Sequence, residues 1–91
     1  MIKFKPGQIV ATPGAINAMN ANNVNAETLL ARHLSGDWGD LCKEDKELND
    51  EALQTGEDRF FSSYNITPDI KIWIITEWNR SVTTFLLPEE Y

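Results

Sequence analysis

The stretch "HLSGDWGDLC", residues 33–42, holds the chain's one histidine and one cysteine, with two aspartates and a tryptophan between them. Side chains of these types suggest two chemistries. A zinc site would draw on His33, Asp37, Asp40 and Cys42. Zinc needs three or four ligands at compact spacing, and the chain has neither a C-x-x-C pair nor a second histidine. Nucleophilic catalysis would pair Cys42 with His33 and needs a thiol of lowered pKa. A helix predicted to start at Cys42 favours the thiolate, but the surrounding acids oppose it. The better reading is architectural. His33 falls in the last turn of a predicted helix, where a cationic side chain suits the dipole. Gly36 stops that helix, and residues 37–42 turn into the next. No catalytic residue, metal ligand or cofactor is expected.

The elements around this corner follow from local pattern. "KFKPGQIVA", residues 3–11, reads as a first strand broken near its start by Pro6 and Gly7. Thr12 caps a first helix whose first turn accepts Pro13. Asn25 caps a second helix, "AETLLARHLS", with Glu27 in its first turn and Leu29, Leu30, His33 and Leu34 at helical spacing. Residues 42–54 predict a third, with Asp40 near its start and Gly56 beyond its end. Its narrow apolar stripe comprises Leu41, Leu48, Ala52 and Leu53. Lys43–Glu47 and Lys46–Asp50 can pair one turn apart. The period then changes to two in "RFFSSYNI", "IKIWIITEW" and "SVTTFLLP", joined by short turns. The expectation is one α+β domain over residues 1–91. It has a small antiparallel sheet of about four strands, in β-α-α-α-β-β-β order, with helices packed on one face. Strands 70–78 and 81–87 are apolar on both faces, so they are expected to be central or to meet a partner.

Charge narrows the function. Net charge is −6. Asp37 to Asp58 holds nine acids and two bases, which leaves the rest of the chain at +1. Such a chain repels phosphate, so direct nucleic-acid binding is not expected. Its longest strongly apolar run, residues 70–76, is far short of the ~20 residues a membrane span needs. With no secretory signal and one cysteine, a cytoplasmic location is expected. The glycines form no phosphate-binding motif. Two surfaces are candidates for a protein partner. One is the acidic stretch with Asp37, Trp38, Asp40, Glu44, Asp45, Glu47, Asp50 and Glu51. The other is an aromatic sheet face with Trp73 and Trp78.

Taken together, "KFKPGQIVATPGA", "HLSGDWGDL", "NDEAL", "KIWIITE" and "RSVTTFLLPEEY" resemble a family of small bacterial proteins of plasmids and other mobile elements, described only as plasmid-related proteins. The resemblance runs from Lys3 to Tyr91 and brings no established activity or catalytic residue. It implies a setting among conjugation and counter-defence genes. The expected function is therefore a small non-enzymatic protein-binding module, of the antirestriction or anti-CRISPR type, whose acidic surface meets a basic nucleic-acid-binding effector. A homodimer is compatible with this reading. One alternative is an accessory regulator of plasmid or conjugative functions that reaches nucleic acid through a partner. A second is a small enzyme or metal protein centred on His33 and Cys42.

Overall fold

A computed structural model describes residues 2–91. The chain runs β1 (Gln8–Ala11), α1 (Pro13–Ala21), α2 (Ala26–Leu34), α3 (Lys43–Thr55), β2 (Phe60–Asn65), β3 (Lys71–Thr76), β4 (Val82–Leu86) and a closing 3₁₀ turn, Pro88–Glu90. This is the expected α+β order. The helix ends form as their residues dictate. The Thr12 hydroxyl accepts from the Ala15 N–H at 3.2 Å, and the Asn25 carboxamide accepts from the Glu27 N–H at 2.8 Å. Gly56 closes α3 in the left-handed conformation.

The strands form one sheet in the order β1-β4-β3-β2. β3 and β4 are central, as their two-sided apolar pattern requires. β2, β3 and β4 make an antiparallel meander. β1 departs from the all-antiparallel expectation: it pairs with β4 in parallel, from Gln8 opposite Val82 to Ala11 opposite Phe85. Parallel neighbours need a long crossover; here the crossover comprises three helices and the first two strands of the meander. β1 is also shorter than expected. Proline at position 6 and the positive φ of Gly7, +66°, keep residues 3–7 out of the ladder.

The helices cover one sheet face. Ala15 and Met19 of α1 and Leu29 of α2 pack with Tyr64, Ile72, Ile74 and Phe85. A second cluster joins Ala52 of α3 to Trp38 and Phe60, with Phe4, Leu41 and Leu53 against it. Trp38 and Phe60 stack at 5.5 Å, and Phe4 stacks on Phe60 at 4.0 Å. Leu48 departs from the predicted stripe, since α3 turns Asn49, Ala52 and Leu53 inward and leaves Leu48 56% exposed.

β2 is an edge strand, but its outer side is closed. The Ser63 N–H donates to the Trp38 carbonyl at 3.2 Å, and the Asp40 N–H donates to the Ser63 carbonyl at 2.6 Å. The Asp40 carboxylate accepts from the Asn65 N–H at 2.8 Å. The Asn49 carboxamide serves both peptide groups of Phe61: Nδ2 donates to its carbonyl at 2.6 Å, and Oδ1 accepts from its N–H at 3.0 Å. A side chain on a helix thus takes the place of a fifth strand. An open edge is a template for unwanted pairing, and this one is covered.

Gly39 makes that closure fit. It has φ +78°, and a Cβ there would fall onto the Ser63 carbonyl oxygen and the Tyr64 ring. Gly39→Ala is expected to cost about 2–4 kcal/mol, from the left-handed backbone and a displaced bridge. At Gly36, φ +87°, a Cβ meets only the flexible end of Lys3, so Gly36→Ala should cost about 1–2 kcal/mol. Urea unfolding of the two variants measures the difference; equal losses would mean that the close approach at Gly39 adds nothing.

Candidate partner-binding surface

His33 lies at the end of α2 with 0% of its surface exposed. Its Nδ1 meets the Ser62 hydroxyl at 2.5 Å and its Nε2 meets the Thr76 hydroxyl at 2.9 Å. Thr76 meets the Thr83 hydroxyl at 2.7 Å, and Thr83 donates to the Pro6 carbonyl at 2.7 Å. The Pro6 carbonyl can only accept, and this fixes the protons from Thr83 back to the ring's Nε2. Thr83 spends its proton on Pro6, so Thr76 donates to Thr83. Thr76 then accepts from His33, which places the ring proton on Nε2. Burial keeps the ring neutral, so Nδ1 is the acceptor for Ser62 and the imidazole sits in one tautomer between two hydroxyls. The rings of Phe4 and Trp38 meet it edge-on at 5.3 and 5.9 Å. Burial lowers its pKa to about 3.

His33 is thus structural, but not in the way its position suggests. It carries no charge for the helix dipole. It serves instead as the polar centre of a core in which Ser62, Thr76 and Thr83 replace apolar side chains. Ser62 and His33 have the contact of a nucleophile and its base, yet Ser62 is also fully buried and no substrate reaches it. Cys42 does not join them. It is exposed at the start of α3 and supplies no side-chain cap. The Asp45 N–H favours its thiolate, but the Asp45 and Glu44 carboxylates outweigh that and leave the thiol pKa raised. Among the described residues, no three His, Cys, Asp or Glu side chains are placed to hold a metal ion.

Several acids of the corner have internal work. Asp37 forms an ion pair with Arg32 at 2.7 Å, and its carboxyl is held below its ordinary pKa by that guanidinium. The Asp37 carbonyl accepts from the Tyr64 hydroxyl at 2.6 Å. Asp40 does not start α3; it holds Asn65 instead. Asp50 accepts from the Trp38 indole N–H at 3.0 Å. Trp38 itself is buried, so it is a core residue and offers nothing to a partner.

The acids that remain free lie on α3. Glu44, Glu47 and Glu51 are exposed, and Asp45 is half-buried. Among the described residues the one ion pair is Arg32–Asp37, so Lys43–Glu47 and Lys46–Asp50 do not close. Leu48 stands between these acids, and it lines a cleft of about 70 Å³ with Asp45, Asp58, Arg59 and Phe61. Phe61 begins the sheet face opposite the three α-helices, which the closing 3₁₀ turn covers in part. Phe61 and Trp73 meet edge-on at 4.9 Å, and Trp73 meets Tyr91 at 5.9 Å. Arg59 donates to the Tyr91 hydroxyl at 3.1 Å. A groove of about 370 Å³ follows, lined by Arg59, Ile75, Glu77, Thr84, Leu86 and Tyr91. The two surfaces expected from the sequence therefore adjoin at Phe61. Trp78 stands apart on the β3–β4 hairpin, 64% exposed.

Scans of protein-family models, curated proteins and solved structures find no match to this chain. Sequence pattern overlooked Leu48, Arg59 and Tyr91 in this surface. Leu48 has core-like spacing on its helix, so only the direction in which α3 faces reveals it. Arg59 and Tyr91 are 32 residues apart and meet only in the fold. No helix among the described residues is long and apolar enough to cross a membrane.

Proposed function

We propose that this chain is a small non-enzymatic protein-binding module of a mobile element. Its acidic helix α3 occupies the basic surface of a nucleic-acid-binding effector and so counters a host defence. The observation that carries this reading is the state of α3: Glu44, Glu47 and Glu51 face water without an ion-pair partner, around a leucine that is 56% exposed. Unpaired charge beside an exposed apolar anchor suits electrostatic steering to a partner of opposite sign, followed by desolvated contact. The adjoining Phe61–Trp73–Tyr91 face extends the apolar part. The burial of Ser62 and His33 supports binding over catalysis, because it removes the most reactive-looking pair from any substrate.

The test begins with affinity purification of the partner from the native host. Calorimetry then follows on the purified pair, with wild type and the E44K/D45K/E47K variant. The variant is expected to bind at least about tenfold more weakly at low salt, or about 1.4 kcal/mol, and with a flatter salt dependence. Its melting temperature reports the separate cost of cations near the N-terminus of α3. Unchanged affinity together with an unchanged salt slope would contradict the assignment of this surface.

A further inference from the structure

The two edges of the sheet are treated differently. The outer side of β2 is closed by residues 38–40 and by Asn49. β1 ends the sheet on the other side with β4 as its one strand neighbour. The Gln8 and Thr12 N–H groups donate to the Ser81 and Phe85 carbonyls, both at 2.9 Å. The two-residue period of a strand then aims the peptide groups of Ile9 and Ala11 away from β4. Ile9, Val10 and Ile16 are exposed there, around a groove of about 230 Å³ with Met19 and Val24 in its lining. Charge points to what covers it. Residues 6–26 contain no charged side chain, in a chain of net charge −6. Two copies meeting through α3 set acid against acid; two copies meeting here bring no charged side chain of residues 6–26 into contact.

We infer that β1 pairs antiparallel with β1 of a second copy, joining two sheets into one of eight strands. Two-fold symmetry requires a self-complementary patch. The register that satisfies it places Val10 opposite Val10, with each Ile9 opposite Ala11 of the second copy. Ile9 and Ala11 then exchange backbone hydrogen bonds in both directions, and the two Val10 side chains form the close, non-hydrogen-bonded pair. This surface is separate from α3, so its test stands or falls independently of the proposed function.

Sedimentation velocity of the full chain from micromolar to millimolar concentration is expected to show a monomer–dimer equilibrium. Val10→Lys sets two cations face to face and should raise the dissociation constant at least about tenfold. A second measurement guards against misfolding of that variant. In a Cys42→Ser background, Val10→Cys should cross-link between copies on mild oxidation. Ile9→Cys should not, since its counterpart lies on the diagonal at about 7–8 Å, beyond disulfide reach. A monomer throughout the concentration range, a dimer indifferent to Val10→Lys in a folded variant, or cross-linking of Ile9→Cys as readily as Val10→Cys would each overturn the inference.

Discussion

Replacing His33 with alanine is expected to remove about 4–6 kcal/mol of stability, the sum of a large-to-small cavity and the ring hydrogen bonds lost by the buried Ser62 and Thr76 hydroxyls. A domain of this size has roughly 5–15 kcal/mol in total, so the variant should lose a large fraction of its stability and melt at a much lower temperature. His33→Phe fills most of the volume but takes from Ser62 its ring partner and leaves Thr76 only its bond to Thr83, and should lose about half as much. Adding Ser62→Ala and Thr76→Val to His33→Phe removes the two hydroxyls that lost the ring and should recover most of that loss, because the apolar trio has nothing to satisfy and Thr83 keeps its bond to Pro6. Urea unfolding of the series reads this directly. If the triple variant were no more stable than His33→Phe alone, the hydrogen-bonded chain would not be what the site stabilises.

The same residue sets a pH dependence. In the unfolded chain a histidine binds its proton near pH 6.5; in the folded chain burial lowers that to about 3. Between those limits the unfolded state binds the extra proton. Stability is therefore complete above about pH 6.5 and falls as acid is added, by roughly 1.4 kcal/mol for each pH unit down toward 3. The carboxyl of Asp37, held low by Arg32, and that of Glu90, held low by the Thr12 hydroxyl, lose their contributions only at more acid pH. A fall in stability between pH 6.5 and 5 that disappears in His33→Phe belongs to the imidazole. A wild-type curve that is flat over that range would contradict its burial.

The second large effect is expected at Asn49. Asn49→Ala removes both hydrogen bonds to Phe61 and opens the β2 edge. With the N–H and carbonyl of Phe61 left unmet in a part-buried place, the cost should be about 2–4 kcal/mol. The freed edge should also promote association through β2. Asn49→Asp is the more specific probe. A carboxylate still accepts from the Phe61 N–H but repels the Phe61 carbonyl. The aspartate variant should be worse than wild type at pH 7, and its deficit should shrink on acidification, when the protonated acid can donate again. A deficit independent of pH would mean that the amide's two-way pairing is not what holds the edge.

The legible parts of this fold were those written locally. Thr12, Asn25 and Gly56 mark helix ends because each acts within a few residues of itself. The meander is visible because alternation and short turns are properties of neighbouring residues. The parallel place of β1 is not visible, because its partner β4 lies more than seventy residues on and leaves no mark on the strand's own pattern. His33 could be read as structural, but its partners are 29 and 43 residues away, so its neutral, doubly bonded state depends on the assembled sheet. Asn49 looks like one more polar position on a solvated helix, since nothing in its neighbours betrays that its amide substitutes for a strand. Trp38, placed among acids, looks like a partner residue until Phe4 and Phe60 are seen stacked against it. The acidic face survives in reduced form, because charge composition is local while internal use of Asp37, Asp40 and Asp50 is not.

Long-range proton–nitrogen correlation of the His33 ring, recorded from pH 8 down to pH 5, tests most directly that residues 33–42 are architecture. The predicted result is a neutral ring with its proton on Nε2, unchanged down to the onset of acid unfolding. A ring that titrates near pH 6.5 with the native spectrum intact would place the imidazole in reach of water, and the corner would have to be reconsidered as a working site.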